Sequence, residues 1–113
     1  MSCLFCKIIA REIPARIIYE DDRLLAFEDI NPQAPLHALI IPKTHIATLN
    51  DLEPAHDALA GEMVRRAAAI AQDRGYAARG FRTVFNTNSE AGQTVFHIHL
   101  HLLGGRVMTW PPG

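Results

Sequence analysis

The run His97-Ile98-His99-Leu100-His101-Leu102-Leu103 alternates polar and aliphatic residues with a period of two. A strand honours that period, because successive side chains point to opposite faces, and a helix does not. The run therefore predicts a strand over Val95 to Leu103 with three imidazoles on one face and aliphatic residues on the other. Same-face neighbours would lie roughly 7 Å apart, close enough to share a small ligand or relay a proton. Histidine is a poor choice for filling an ordinary strand face, and packing does not require it. The chemistry of this chain is expected on that face.

The remaining segments define the fold around it. Cys3 to Ala10 reads as a short helix with Phe5, Ile8 and Ile9 on its apolar side, and Pro14 ends the pattern. Ile17-Ile18-Tyr19 and Leu24-Leu25-Ala26-Phe27 read as strands joined across an acidic turn. Asn31 to Pro35 is a loop, and His37 to Ile41 is a near-continuous apolar strand closed by Pro42. A helix is predicted from Glu53-Pro54, with Leu59, Met63, Ala67 and Ile70 at helical spacing and Val64 and Ala68 widening the stripe. Gly75 is its stop. Phe81 to Phe85 returns to strand, and Thr87 to Thr94 is a polar loop. With one long helix, most connections are too short for parallel crossovers. The expected class is α+β: an antiparallel sheet of about five strands with one long and one short helix.

The 113 residues suit a single domain spanning 1–113. The formal net charge is −1, with both signs interspersed, so no footprint for nucleic acid or an anionic membrane surface is expected. No apolar run approaches the roughly 18 residues of a membrane span. The segment Met1 to Lys7 lacks the pattern of a secretory leader, so a cytoplasmic location is expected. In that reducing compartment Cys3 and Cys6 would be thiols or metal ligands rather than a disulfide.

Three histidines on one face admit a metal site, nucleophilic catalysis or a solvated polar face, and spacing alone does not choose among them. In the nucleophilic reading the central His99 attacks, one ring nitrogen facing the substrate and the other donating to a fixed acceptor. Upstream, the amides of Gly92, Gln93 and Thr94 could form an anion-binding nest. Asp29 could accept hydrogen bonds from a ribose diol, and His37 would join the triplet if its strand pairs beside it. Cys3 and Cys6 form half of a tetrahedral zinc site, for which His45 and one triplet histidine are available partners.

The triplet has the form of the histidine triad motif, and the chain resembles the histidine triad (HIT) superfamily along nearly its whole length. The resemblance runs through Glu12-Ile13-Pro14-Ala15, Ala26 to Ile30, Pro35-Leu36-His37, Ile41 to His45, Gly92 to Val95 and Leu103 to Arg106. The last twenty residues, ending in Trp110-Pro111-Pro112-Gly113, are similar to the Hint branch. That resemblance implies a homodimeric purine nucleoside phosphoramidase, which splits the P–N bond of AMP–amine conjugates without a catalytic cofactor. It implies His99 as the nucleophile that becomes adenylylated, flanked by His97 and His101. Thr94 would stand beside the departing amine and His37 behind the triad. Gly92, Gln93, Thr94 and Asn86 would surround the phosphate, with Asp29 and Ile30 at ribose and base. Other HIT members imply a structural zinc on Cys3, Cys6, His45 and His97, which would make His97 structural rather than a free proton relay. Ala91 stands where many Hint proteins have a second loop glycine. A dinucleoside polyphosphate hydrolase of the Fhit type and a nucleotide-binding scaffold are the competing readings.

Overall fold

The computed structural model describes residues 3–113. Five strands form one sheet: β1 (Ile17–Glu20), β2 (Leu24–Glu28), β3 (Leu36–Pro42), β4 (Phe81–Val84) and β5 (Leu100–Gly104). Their order is β1-β2-β3-β5-β4, and every adjacent pair is antiparallel. Helix α1 spans Leu4–Ile9 and helix α2 spans Asp57–Asp73, so the expected class and element count hold.

Alternation sorts the sheet's side chains between two apolar clusters. Leu24 and Ala26 of β2, Ala38 and Ile40 of β3, and Leu100 and Leu102 of β5 pack under α2 against Leu59, Met63, Ala67 and Ile70. Leu25, Phe27, Leu39 and Ile41 pack on the opposite face with Phe5 and Ile8 of α1. Strand β3 has both faces covered and is buried throughout, which is why it reads as a continuous apolar run.

The α2 stripe is narrower than the sequence suggests. Val64 is 51 % exposed and Ala68 is exposed, while Ala71 is buried. Val64 is rotated about 100° from Met63, which carries it past the line of contact with the sheet. The helix also starts later than expected: Pro54–His56 form a 3₁₀ turn before the α-helix begins at Asp57.

The histidine strand is shorter than its alternation predicts. The β3–β5 ladder pairs Leu39 with His101 and Ile40 with Leu100, and it stops there. The next donor from β3 would be Pro42 opposite Ile98, and proline has no N–H to give. Ile98 bonds instead to the Ile46 carbonyl at 2.7 Å. Residues 95–99 thus lie outside the ladder, with the chain bent at 95–97, while Ile98 still enters the α2 cluster.

At the other end of β5, Gly105 adopts φ +98°, and a Cβ there would stand 2.8 Å from Pro35 Cβ. The turn leaving the sheet is thereby seated against the loop that precedes β3.

Candidate active site

A cleft of about 430 Å³ opens on the α1 face of the sheet, lined among others by Phe27, Asp29, Ile30, Leu39, Asn86, Gly92, Thr94, His99 and His101. Its walls combine an apolar end, from Leu4, Phe5, Ile8 and Ile13, with the polar groups of the histidine segment. A flat apolar moiety and an anionic group can thus be held side by side.

Each imidazole is oriented by a partner whose chemistry fixes the tautomer. His99 Nδ1 lies 2.8 Å from the His97 carbonyl oxygen, which only accepts, so Nδ1 carries the hydrogen and Nε2 keeps its lone pair. Phe5 packs edge-on against the His99 ring at 5.0 Å and 88° and holds its plane. Burial holds the His99 ring below the ordinary imidazole range, against the opposing hydrogen bond to His97 and the charge of Asp29.

His101 Nδ1 meets His37 Nε2 at 2.9 Å. The expected partnership of His37 with the triplet follows from the β3–β5 pairing, which puts Leu39 opposite His101 and leaves His37 two residues away on the same face. Burial, reinforced by His99 and His37, pushes His101 down to about 4. His37 is also shifted down, first by burial, with Asp29 opposing. Asp29 Oδ2 lies 3.4 Å from His37 Nε2, while its Oδ1 accepts the Asn31 N–H. Ile30 is fully exposed at the rim.

His97 is placed differently from its neighbours. It is completely buried, does not line the cleft, and contributes only its carbonyl to His99. Its Nε2–H donates to the Pro42 carbonyl at 2.8 Å, so its Nδ1 lone pair faces away, toward Cys3 Sγ (3.4 Å), Cys6 Sγ (3.6 Å) and His45 Nδ1 (3.2 Å). Cys6 Sγ and His45 Nδ1 are 3.4 Å apart, and all four donor atoms lie within 4.8 Å of one another. A tetrahedral zinc ion with ordinary bond lengths separates its nitrogens by about 3.3 Å and nitrogen from sulfur by about 3.6 Å. The residues fit the ion in number, type and spacing. The backbone carbonyl behind His97 is also the usual support of a ligating imidazole. Burial and then the neighbouring Cys3 push the Cys6 thiol up, a bias that a divalent cation between them would invert.

The loop before the triad departs from the expected nest. The Gly92 and Gln93 amides already donate to Ser89 and Asn88 carbonyls, each at 3.0 Å, which close the short 3₁₀ turn Ser89–Ala91. Gln93 does not line the cleft: its side chain is buried, accepts from the Asn88 amide, and donates to the Ala47 and Val95 carbonyls. Its amide side chain braces the loop from behind. Gly92, Thr94 and Asn86 do line the cleft. The positioning parts played by Phe5, Pro42 and Gln93 escape sequence reasoning, because each looks like an ordinary core, breaker or loop residue.

Residues 2–109 match the family model described as scavenger mRNA decapping enzyme C-term binding. A HIT-like protein of Synechocystis is 54 % identical over 110 residues, covering 97 % of this chain and 96 % of its own length. The purine nucleoside phosphoramidase of Escherichia coli is 53 % identical over 103 residues, with coverage of 91 % and 87 %. Among solved structures, a HIT family hydrolase from Legionella pneumophila superposes with a TM-score of 0.97 at 58 % identity, covering 99 % of this chain and 100 % of that one. Identity at this level over nearly the full length, with the same fold, makes the chain an enzyme of the histidine triad (HIT) superfamily.

Proposed function

We propose that this chain hydrolyses the P–N bond of purine nucleoside phosphoramidates, AMP joined to an amine, through a covalent adenylyl-histidine on His99. The observation that carries the reading is the His99 tautomer, with Nδ1–H on the His97 carbonyl and the Nε2 lone pair left for the cleft. The similarity to a purine nucleoside phosphoramidase supports the substrate class.

In this reading the base lies against the apolar end of the cleft beside Ile30, and Asp29 accepts from the ribose diol. Asn86, Gly92 and Thr94 surround the phosphate, with Gln93 acting through the loop it braces. His99 Nε2 attacks phosphorus, forming an N–P bond as the P–N bond to the amine breaks. The departing nitrogen takes a proton from solvent through the Thr94 hydroxyl. The adenylylated ring becomes cationic, and the His97 carbonyl stabilises its Nδ1–H. His101 is neutral near pH 7, so it serves as a hydrogen-bond donor to the phosphoryl oxygens rather than as an imidazolium acid. Water then attacks phosphorus on the same path in reverse, AMP leaves, His99 is regenerated, and the proton taken up in the first step is returned. No cofactor takes part in these steps.

Cys3, Cys6, His45 and His97 would hold a structural zinc, supported by their donor set and spacing. Zinc there would anchor α1 to the segment that carries His99. The reading takes residues 1–113 as one catalytic domain working in the cytoplasm as a homodimer. Val107 and Trp110, 88 % and 82 % exposed, are apolar surface that a partner copy would cover.

The test is release of AMP from adenosine 5′-phosphoramidate by the wild type beside His99→Ala. Turnover by the wild type alone, with nucleotide still bound by the variant, is expected. Turnover by neither, with cleavage of a diadenosine polyphosphate instead, would move the Fhit-type reading to the front. Binding without cleavage of either substrate would favour the scaffold.

A further inference from the structure

Arg106 lies outside the cleft, exposed on the turn that leaves β5. Its Nε donates to the Gln33 carbonyl at 2.8 Å. Gln33 belongs to the loop between β2 and β3, whose ends are closed by the Asp29 amide on the His37 carbonyl. The Gln33 side-chain amide donates to the Asn31 carbonyl, folding the loop on itself. The backbone N–H of Gln33 donates to His37 Nδ1 at 2.9 Å.

That last bond has a directional consequence. A backbone amide can only donate, so His37 Nδ1 must be the unprotonated nitrogen and a neutral His37 carries its hydrogen on Nε2. Nε2 lies 2.9 Å from His101 Nδ1, so that nitrogen must accept. Neutral His101 then carries its hydrogen on Nε2, the nitrogen left for the cleft. The reverse direction would require His37 without a proton on either nitrogen, an imidazolate, which a neutral imidazole forms only far above neutral pH. Were the Gln33 amide to swing away, His37 could take the hydrogen on Nδ1, and His101 could turn a lone pair toward an anionic phosphate.

We propose that Arg106 is a positioning residue for the reaction: by clamping the Gln33 carbonyl it keeps the Gln33 N–H on His37 and so commits His101 to the donor tautomer. The inference rests on the phosphoramidase reading for its effect on turnover, while the tautomer itself can be read without any substrate. Gly105 works in the same direction, seating the neighbouring backbone against Pro35 of the same loop.

The experiment records ¹⁵N spectra of the histidine rings in the wild type and in Arg106→Gln at about pH 8, where free imidazoles are uncharged. Both His37 and His101 are expected with the hydrogen on Nε2 in the wild type. In Arg106→Gln an Nδ1–H population of His37 should appear and the His101 signals should broaden. With adenosine 5′-phosphoramidate, kcat should fall about 10- to 100-fold, the scale of a small misplacement at a reacting centre. KM should change by less than about twofold, since the displaced donor acts mainly on the transition state. Unchanged ring spectra in the variant, or a wild-type His101 protonated on Nδ1, would overturn the clamp. Shifted spectra with an unchanged kcat would overturn its part in the reaction. A wild type inactive on the phosphoramidate would count against the phosphoramidase reading and leave the clamp to be decided by the spectra.

Discussion

His99 takes its orientation from His97: the Nδ1–H of one ring sits 2.8 Å from the backbone carbonyl of the other residue, whose own ring points into the Cys3, Cys6 and His45 cluster. The Cys/His cluster and the proposed nucleophile are therefore joined by a single residue and share its backbone. Whatever fixes the His97 ring also fixes the carbonyl that sets the His99 tautomer.

Zinc content is the direct check on this connection. Purified protein should carry about one equivalent, the number a single tetrahedral cluster holds. Cys6→Ser should lose it, with a melting temperature lower by about 4 °C or more, as follows from a loss of at least about 1 kcal/mol in a domain of this size. Elemental analysis beside calorimetry reads both. Full-length protein free of zinc, with a Cys6→Ser variant as stable as wild type, would remove the metal from the account.

The pH dependence has a definite sign. His37, His99 and His101 all have folded values below the ordinary imidazole range, chiefly through burial. A lowered value keeps the His99 lone pair free through pH 6.5, so kcat/KM should stay level through neutrality and fall only on the acid side. The same shifts act on stability. Between the folded and unfolded values the unfolded chain binds more protons, so the stabilisation is complete above about 6.5 and is lost progressively as pH falls. For His101 that loss continues to about 4. Melting temperatures across this window should decline with acid; a melting temperature that rises there would refute the burial of neutral imidazoles.

Gln93 offers a test of the loop's brace. Gln93→Ala leaves the Asn88 amide and the Ala47 and Val95 carbonyls without their side-chain partners. Unfolding in urea should show a loss of about 1–3 kcal/mol, the cost of stranding buried polar groups. Activity should fall with it, because Gly92 and Thr94 flank the brace. A variant of wild-type stability and turnover would reduce Gln93 to an ordinary loop residue.

Much of this was legible in the residues, and the rest was hidden for identifiable reasons. Period-two alternation announced that His99 and His101 share a face opposite Ile98, Leu100 and Leu102. It did not reveal that His97 is buried away from the cleft among Cys3, Cys6 and His45. The unbroken apolar run of β3 announced burial on both sides. The partnership of His37 with His101 could be stated only conditionally, since it depends on strand pairing across 64 positions. The early end of the ladder needed the register as well, for only then does Pro42 fall opposite Ile98. Val64 misled because its hydropathy says nothing of which narrow line of α2 meets the sheet. Two of the three amides of the expected anion nest, those of Gly92 and Gln93, bond within the loop, and sequence does not reveal where loop amides go.

Gly105 supplies a packing test away from the cleft. Gly105→Ala must place a methyl 2.8 Å from Pro35 Cβ and 3.0 Å from the Tyr76 ring at φ +98°. The strain should cost about 1–3 kcal/mol. Denaturant midpoints read the loss; an unchanged midpoint would mean that the turn and the Pro35 loop separate freely.

The alternation of this segment between an aliphatic face under α2 and an imidazole face on the α1 side makes the stretch from His97 to Leu103 intolerant of changes in length. Deleting or inserting one residue there shifts every following side chain to the opposite face. The imidazoles beyond the lesion would be driven among Met63, Ala67 and Ile70, and leucines would fill the cleft. Point substitutions in this stretch can damage catalysis and spare the fold, but a length change damages both at once. Homologous chains should therefore vary in sequence along the run long before they vary in its spacing.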